Sequence, residues 1–159
     1  MKFQFGKDRS FTFKDVIIDE KTGYPIIVDG VEVGGILVDR MEKGNRWKCI
    51  RVLGIEIYPE HRRRGIAKRV LKFFLKKNTG MIGAITEDDN KKFWKKMGAE
   101  WVAIPWEAFT ERQKETMHTK EPLFFCISKD KALRDEMFEM MTTTWDAIIK
   151  ARKELGIKV

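Results

Sequence analysis

The sequence predicts an α+β domain, a mixed and mostly antiparallel sheet flanked by helices, with a further helix at the C-terminal end. Three observations predict it. Short apolar or alternating runs, parted by turn signals, fill the first third of the chain, the pattern of an antiparallel meander. Residues 50–85 then read strand, Gly-containing turn, amphipathic helix, strand. A helix between two strands implies a parallel pair joined by a right-handed crossover. In residues 130–155, Leu133, Met137, Met141, Trp145, Ile148 and Leu155 recur at helical spacing.

The elements follow in order. Phe3-Gln4-Phe5 and Phe11-Thr12-Phe13 alternate as short strands do. Residues 24–28 form a better strand, Asp29-Gly30 is a hairpin turn signal, and residues 31–38 return. Gly34-Gly35 inside that returning strand suggests a bulge or a close backbone approach. Glu42-Lys43-Gly44-Asn45 turns the chain again, and residues 47–58 make a long strand closed by Pro59. The helix over 66–77 places Ile66, Val70, Leu71 and Phe74 on one face, with Phe73 alongside. Lys68, Arg69, Lys72 and Lys76 lie mostly opposite. Residues 81–85 are a short apolar strand.

A second helix is expected over 86–98. Thr86 and Asp89 have capping-box spacing, acids fill the first turn, lysines the last, and Gly98 supplies the stop. Residues 100–104 and 123–128 read as strands. The polar stretch 105–122 between them holds Trp106, Phe109 and Met117, and its length fits a lid, a binding element or a short extra helix. Asp130 or Ser128 caps the last helix, which runs to Leu155 and stops at Gly156, with Thr142-Thr143-Thr144 weakening its middle. Packing on the domain's own sheet is the preferred role of this helix. A homodimer contact is the alternative.

The chain's 159 residues suit one domain, 1–159, with a single core, and 43% hydrophobic with 35% charged residues fit a soluble globular protein. The first residues lack the apolar core of a signal peptide, and no run is long enough to span a bilayer. A cytoplasmic protein with no membrane partner is expected. Cys49 and Cys126 stand alone and read as reduced core residues. His61 and His118 do not make a metal set, so no metal is expected.

The net charge is +8, and residues 60–77 hold eight Lys and Arg against Glu60 alone, so nearly all of the excess is local. Its position is unusual. A helix N-terminus favours acids, yet Arg62, Arg63, Arg64, Lys68 and Arg69 crowd the start of the 66–77 helix. The 86–98 helix, with acids first and lysines last, shows that this chain can satisfy a helix dipole. The basic start becomes sensible if an anion sits there, held by free backbone N–H groups and the dipole. So focused a patch suits a compact polyanion such as a phosphorylated cofactor. A nucleic-acid groove would show a stripe of Lys and Arg with exposed aromatics.

A strand, Pro59-Glu60, then Arg62-x-x-Gly65-x-Ala67 on a helix start resembles motif A of the GNAT superfamily of acetyl-CoA-dependent N-acyltransferases. Phe93-Trp94-Lys95-Lys96-Met97-Gly98-Ala99 is similar to the family's motif B. The resemblance covers residues 51–102. It implies a three-layer α/β/α fold with about six or seven strands and one parallel, splayed pair. It also implies acetyl-CoA as co-substrate, used by direct attack of a primary amine in a ternary complex. The N–H groups of Arg63, Arg64, Gly65, Ile66 and Ala67 would meet the pyrophosphate, and Arg62, Arg64, Lys68 or Arg69 would neutralise its charge or that of the 3′-phosphate. Ile55 and Ile57 would pair with the pantetheine arm, while Asn90, Phe93 and Trp94 would line the far wall of the slot.

The chain departs from the family in its catalytic groups. Trp94 stands where the family often has a Tyr acid, which leaves Tyr58 or a water for that role. Glu56 is the only carboxylate within the strand before the turn and is the candidate base. Simple alternation sets it opposite Ile55 and Ile57 unless a bulge resets the strand. Glu87 and Asp88 also lie near the slot. Residues 6–24 are too few for the two helices that usually wall the acceptor site. An open site favours a bulky acceptor, a protein amine or an aminoacyl-RNA, over a small amine. The alternatives are a GNAT-like protein that binds coenzyme A with little or no catalysis, and a basic nucleic-acid-binding domain using Arg62, Arg63 and Arg64.

Overall fold

The chain opens with β1 (Phe3–Phe5) and a small antiparallel hairpin of β2 (Thr12–Phe13) and β3 (Val16–Ile17). The computed structural model describes residues 3–5, 12–13, 16–17, 23–43 and 47–156. Phe11 of the expected second strand, Gly44 and Asn45 of the expected turn, and most of residues 6–24 lie outside them. Contacts divide the chain into two units, Met1–Met81 and Ile82–Val159.

In the first unit, β4 (Gly23–Val28), β5 (Val31–Lys43) and β6 (Trp47–Ile57) follow as an antiparallel meander, with β1 on the outer edge of β4. Asp29 (φ 50°) and Gly30 (φ 81°) form the turn between β4 and β5. Two consecutive positive φ values match the right-handed twist of a hairpin. β5 runs five residues past the expected end at 38, because β6 pairs with it as far as Lys43↔Trp47. Gly34 shows both features that paired glycines suggested. β5 bulges beside it, where Ile26 pairs Gly34 but Ile27 pairs Glu32. A Cβ at Gly34 would also stand 2.0 Å from the Glu56 carbonyl oxygen.

α1 (Ile66–Lys77) follows β6 and buries Ile66, Val70, Leu71 and Phe74, as the amphipathic pattern required. Each such aliphatic side chain contributes about 1.5–3 kcal/mol on leaving water. Thr79 then donates its N–H to Lys48 O (2.7 Å), and its hydroxyl accepts from Lys48 N–H (3.1 Å). This sets the start of β7 (Gly80–Ile85) beside the start of β6, the parallel placement that the crossover calls for.

In the second unit, α2 (Lys91–Lys96), β8 (Glu100–Ala103), α3 (Glu111–Thr116), β9 (Leu123–Ser128) and α4 (Lys131–Glu154) follow. The strand order is β7-β9-β8, with β8 antiparallel to β9 from Glu100↔Cys126 to Ala103↔Leu123. Leu123 to Ile127 of β9 are all buried. α4 packs on β9 through Leu133, Met137 and Trp145, and the Trp145 ring lies 6.0 Å from Phe124. Among the described residues, β1, β4, β5 and β6, with the separate β2–β3 pair, and then β7, β9 and β8 realise the expected mixed, mostly antiparallel α+β fold. No helix of the described residues is long and apolar enough to cross a membrane.

The helix ends correct three expectations. Thr86 makes no capping box. Its carbonyl accepts the His118 N–H (3.3 Å) in a parallel bridge, Glu87↔His118, and the chain there stays extended. Asp88 accepts from the Thr119 hydroxyl (2.6 Å) and pairs with Lys91 (3.2 Å), which together hold its carboxyl below the usual range. A 3₁₀ turn over Asp88–Asn90 therefore precedes α2, and the helix begins only at Lys91. The capping box forms instead at Thr110 and Gln113, which start α3 inside the 105–122 stretch. Leu155 is 75% exposed and is no part of the packing face of α4.

Other ends follow expectation. Gly98 (φ 91°) closes α2 in a Schellman motif, with Gly98 N–H on Lys95 O and Ala99 N–H on Trp94 O. Asp130 caps α4 through the N–H groups of Ala132 and Leu133, while Ser128 Oγ accepts from Asp130 N–H. The Thr144 hydroxyl donates back to Met140 O, which satisfies it in mid-helix.

Candidate active site

β6 carries a bulge. Leu37 pairs Gly54 and Val38 pairs Val52, so Leu53 is left without a partner in the ladder and is half exposed. An extra residue bends a strand and interrupts its hydrogen bonding. The bulge lies before Ile55, so alternation from Ile55 to Ile57 is intact and Glu56 points away from the face of Ile55 and Ile57. All three residues are only partly buried.

Beyond β6 the backbone turns sharply. Tyr58 donates its N–H to Val33 O (2.8 Å), Pro59–His61 forms a 3₁₀ turn, and Arg63 and Gly65 take φ values of 64° and 72°. Gly65 is the N-cap of α1, with no side-chain cap and no acid in the first turn. The first helical bond runs from Arg69 N–H to Gly65 O (3.2 Å). The N–H groups of Gly65, Ile66, Ala67 and Lys68 therefore precede any intrahelical acceptor and carry the positive end of the dipole. Ile66 is buried and anchors the helix, whereas Arg62, Arg63, Arg64, Gly65 and Lys68 are exposed. Among the described residues, none of the four cations at these positions has a carboxylate partner. Arg64 Nη1 lies 3.1 Å from His61 Nδ1.

Arg62 does more than supply charge. Its Nε donates to Ile57 O (2.8 Å) and ties the turn to the end of β6. That carbonyl is thereby engaged within the chain. Tyr58, a candidate acid, donates its hydroxyl to Glu32 Oε2 (2.8 Å). Glu32 is a residue that sequence reading did not single out. Its only linear signal is the neighbouring Gly34-Gly35 pair, since the contact spans 26 positions.

Asn90, Phe93 and Trp94 belong to the second unit. Asn90 is exposed at the end of the 3₁₀ turn and Phe93 is half buried. Trp94 is 7% exposed, stacks on Phe125 at 4.1 Å with planes 26° apart, and takes Phe93 edge-on at 5.1 Å. Its indole is core. Trp94→Ala is expected to cost about 3–5 kcal/mol in urea denaturation, and a loss below 1 kcal/mol would contradict this packing. The 105–122 stretch is fastened to α4, because Arg152 Nη1 donates to Glu107 O (2.8 Å) and Phe109 O (3.0 Å).

Cys49 and Cys126 are both buried. Burial pushes the Cys126 thiol up to about 11, against the opposing charge of Arg134. At neutral pH it is protonated and a poor nucleophile. Among the described residues no group of three or more His, Cys, Asp or Glu side chains is placed to share a metal ion.

Comparison with known proteins identifies the architecture. No family model and no curated protein sequence matches the chain. Solved structures do. Arabidopsis thaliana Naa50, in complex with a bisubstrate analogue CoA-Ac-MVNAL, aligns over 67% of this chain and 72% of its own at TM-score 0.55 and 16% identity. The ribosomal-protein-S18-alanine N-acetyltransferase from Escherichia coli aligns over 78% and 84% at TM-score 0.52 and 10% identity. Ard1 from Thermoplasma volcanium aligns over 69% and 72% at TM-score 0.50 and 16% identity. The fold is that of the GNAT acetyltransferases. In this GNAT fold, the motif-like residues 62–67 occupy the turn after β6 and the first positions of α1.

Proposed function

We propose that this GNAT-fold protein is an N-acetyltransferase that moves an acetyl group from acetyl-CoA to a primary amine. One observation carries the reading. α1 starts with an uncapped, acid-free first turn on a left-handed glycine, beside the exposed cations Arg62, Arg63, Arg64 and Lys68, which have no carboxylate partner among the described residues. An anion is the missing complement. The pyrophosphate would sit on the N–H groups of residues 65–68, with Arg63, Arg64 and Lys68 around it. The pantetheine arm would run along Ile55 and Ile57 toward the bulge at Leu53. There an interrupted ladder leaves main-chain N–H groups able to polarise the thioester carbonyl. The neutral acceptor amine attacks that carbonyl carbon directly, the tetrahedral intermediate gives its nitrogen proton to water, and the carbon–sulfur bond breaks to release coenzyme A as the thiolate, which takes a proton from solvent. Holding the two reactants together supplies most of the acceleration.

Acetyl-CoA at about a hundred times its Kd stabilises the native state by about 2.7 kcal/mol. For a chain of this size that raises Tm by about 5–10 °C. The absence of any shift at saturating acetyl-CoA would sink the cofactor assignment. Thiol release in the presence of a peptide amine, an aminoacyl-RNA or a small amine then identifies the acceptor class. The bisubstrate analogue in the plant neighbour makes an MVNAL peptide a natural first acceptor.

A second reading has its own support. The Trp94 indole is spent on the core, and the Tyr58 hydroxyl is already given to Glu32. A GNAT-fold protein that binds coenzyme A without turnover would show the thermal shift and release no thiol with any acceptor.

A further inference from the structure

β8 is the last strand in the order β7-β9-β8. One side of it is bonded to β9, and the other faces no strand among the described residues. The ladder shows which groups face outward. Ile104 donates its N–H to Pro122 O (2.9 Å), continuing the register in which Ala103 pairs Leu123. Main-chain groups alternate sides along a strand, so Ile104, Val102 and Glu100 turn theirs toward β9, while Trp101 and Ala103 turn theirs outward. Among the described residues, the N–H and C=O groups of Trp101 and Ala103 have no hydrogen-bond partner.

A row of open donors and acceptors is a template for another strand. Proteins guard such edges with lysine, proline, a bulge or an inward charge. The run Glu100-Trp101-Val102-Ala103 pairs β9 in unbroken register and holds no lysine or proline. Its one charge is at the first position, where Arg134 Nε meets Glu100 Oε2 at 2.9 Å.

The edge is complementary to itself. Antiparallel pairing about a two-fold axis at Val102 sets Trp101 opposite Ala103 of a second copy, and Ala103 opposite Trp101 of that copy. Every outward group is then used, in four N–H···O bonds. The neighbouring registers lose bonds. One sets Ala103 opposite Ala99, whose N–H is already given to Trp94 O (3.0 Å), and the other sets Trp101 opposite Pro105, which has no N–H. Side chains fit the same register. Trp101 shares the face of its cross-strand partner Phe125, and Ala103 lies on that face too. Each large indole therefore falls beside a small, exposed alanine. The two Val102 side chains meet on the other face, and Glu100 falls opposite Ile104, so no like charges oppose. An unrelated extended peptide would take the bonds without this fit of large against small.

We infer that the outer edge of β8 pairs antiparallel with the same edge of a second copy of this chain, in the register that centres on Val102. So short a strand covers less than the area of about 800 Å² per partner in a stable interface, which makes the dimer a transient one with a Kd of about 0.1 mM. This inference does not rest on the cofactor reading, because no residue of the edge belongs to α1 or its turn.

Sedimentation velocity on the full chain, from about 10 µM to about 1 mM, should show a concentration-dependent monomer–dimer equilibrium. Ala103→Pro removes one outward N–H from each copy and no bond to β9, and it should weaken association at least about tenfold with the Tm nearly unchanged. Val102→Cys reads the register directly. Residues opposite each other in a non-hydrogen-bonded pair stand about 4.5 Å apart at Cα, within reach of a disulfide. Oxidised glutathione should therefore cross-link Val102→Cys to a covalent dimer. Glu100→Cys, opposite Ile104, should stay monomeric on the same gel, and the buried Cys49 and Cys126 do not compete. The inference fails if the chain stays monomeric to about 1 mM, or if a folded Ala103→Pro dimerises as the parent does. It also fails if Val102→Cys links no better than Glu100→Cys, a comparison that decides the matter where Ala103→Pro does not fold.

Discussion

Gly34→Ala is expected to lower the stability of the protein by about 3 kcal/mol or more, a shift of about 1–2 M in a urea midpoint. The new Cβ would stand 2.0 Å from the Glu56 carbonyl oxygen and 3.0 Å from Ile57 Cα, atoms of the β6 backbone. A flexible side chain could swing aside, but a strand held on β5 along its length cannot do so locally. Relief requires β5 and β6 to separate where Gly34 pairs Ile57, the ladder end that carries Tyr58 and the turn. Gly30→Ala makes the same chemical change with nothing within 4 Å of the new carbon. It bears only the left-handed strain, about 1–2 kcal/mol. A Gly34→Ala midpoint equal to or higher than that of Gly30→Ala would contradict the close approach.

Gly65→Glu should leave the fold nearly intact and abolish the acetyl-CoA thermal shift, taking it from about 5–10 °C to below the resolution of the melt. No protein atom lies within 4 Å of a Cβ at Gly65, so the side chain clashes with nothing in the chain itself. Its positive φ of 72° adds a modest strain of about 1–2 kcal/mol. The new side chain instead occupies the open space above the free N–H groups and brings a negative charge there. Gly65→Ala separates the two effects. It carries the same strain without the charge and should retain part of the shift. If Gly65→Glu keeps the whole shift, the α1 turn is not the anion seat. If all variants and the parent show none, the protein does not bind acetyl-CoA.

Much of this architecture was legible in the linear sequence, for reasons that were local. The Asp29-Gly30 turn, the amphipathic face of α1, the Gly98 and Gly156 stops and the Asp130 cap each depend on a few adjacent residues. The basic helix start was legible because a sequence carries the sign of its charges openly. Thr86 shows where locality ends. Its capping box lost to a bridge with His118 and to the hold of Thr119 on Asp88, partners more than thirty positions away. The site divided in the same way. Arg62 and Gly65 could be named from charge and turn chemistry and Ala67 from the resemblance to motif A, whereas the tie from Arg62 to Ile57 and the engagement of Tyr58 by Glu32 could not.

By itself, then, the sequence determined most of the strands and helices and the concentration of positive charge at one helix start, because backbone propensity, side-chain periodicity and charge are properties of near neighbours. The tertiary structure alone decided what those residues are free to do. Packing spends the Trp94 indole on Phe125, a bulge at Leu53 interrupts β6, and Gly34 must be glycine because another strand's backbone lies against it. Each of these depends on an atom's neighbours in space, and a hydrophobic or hydrogen-bonding group contributes to function only where the fold has not already given it a partner.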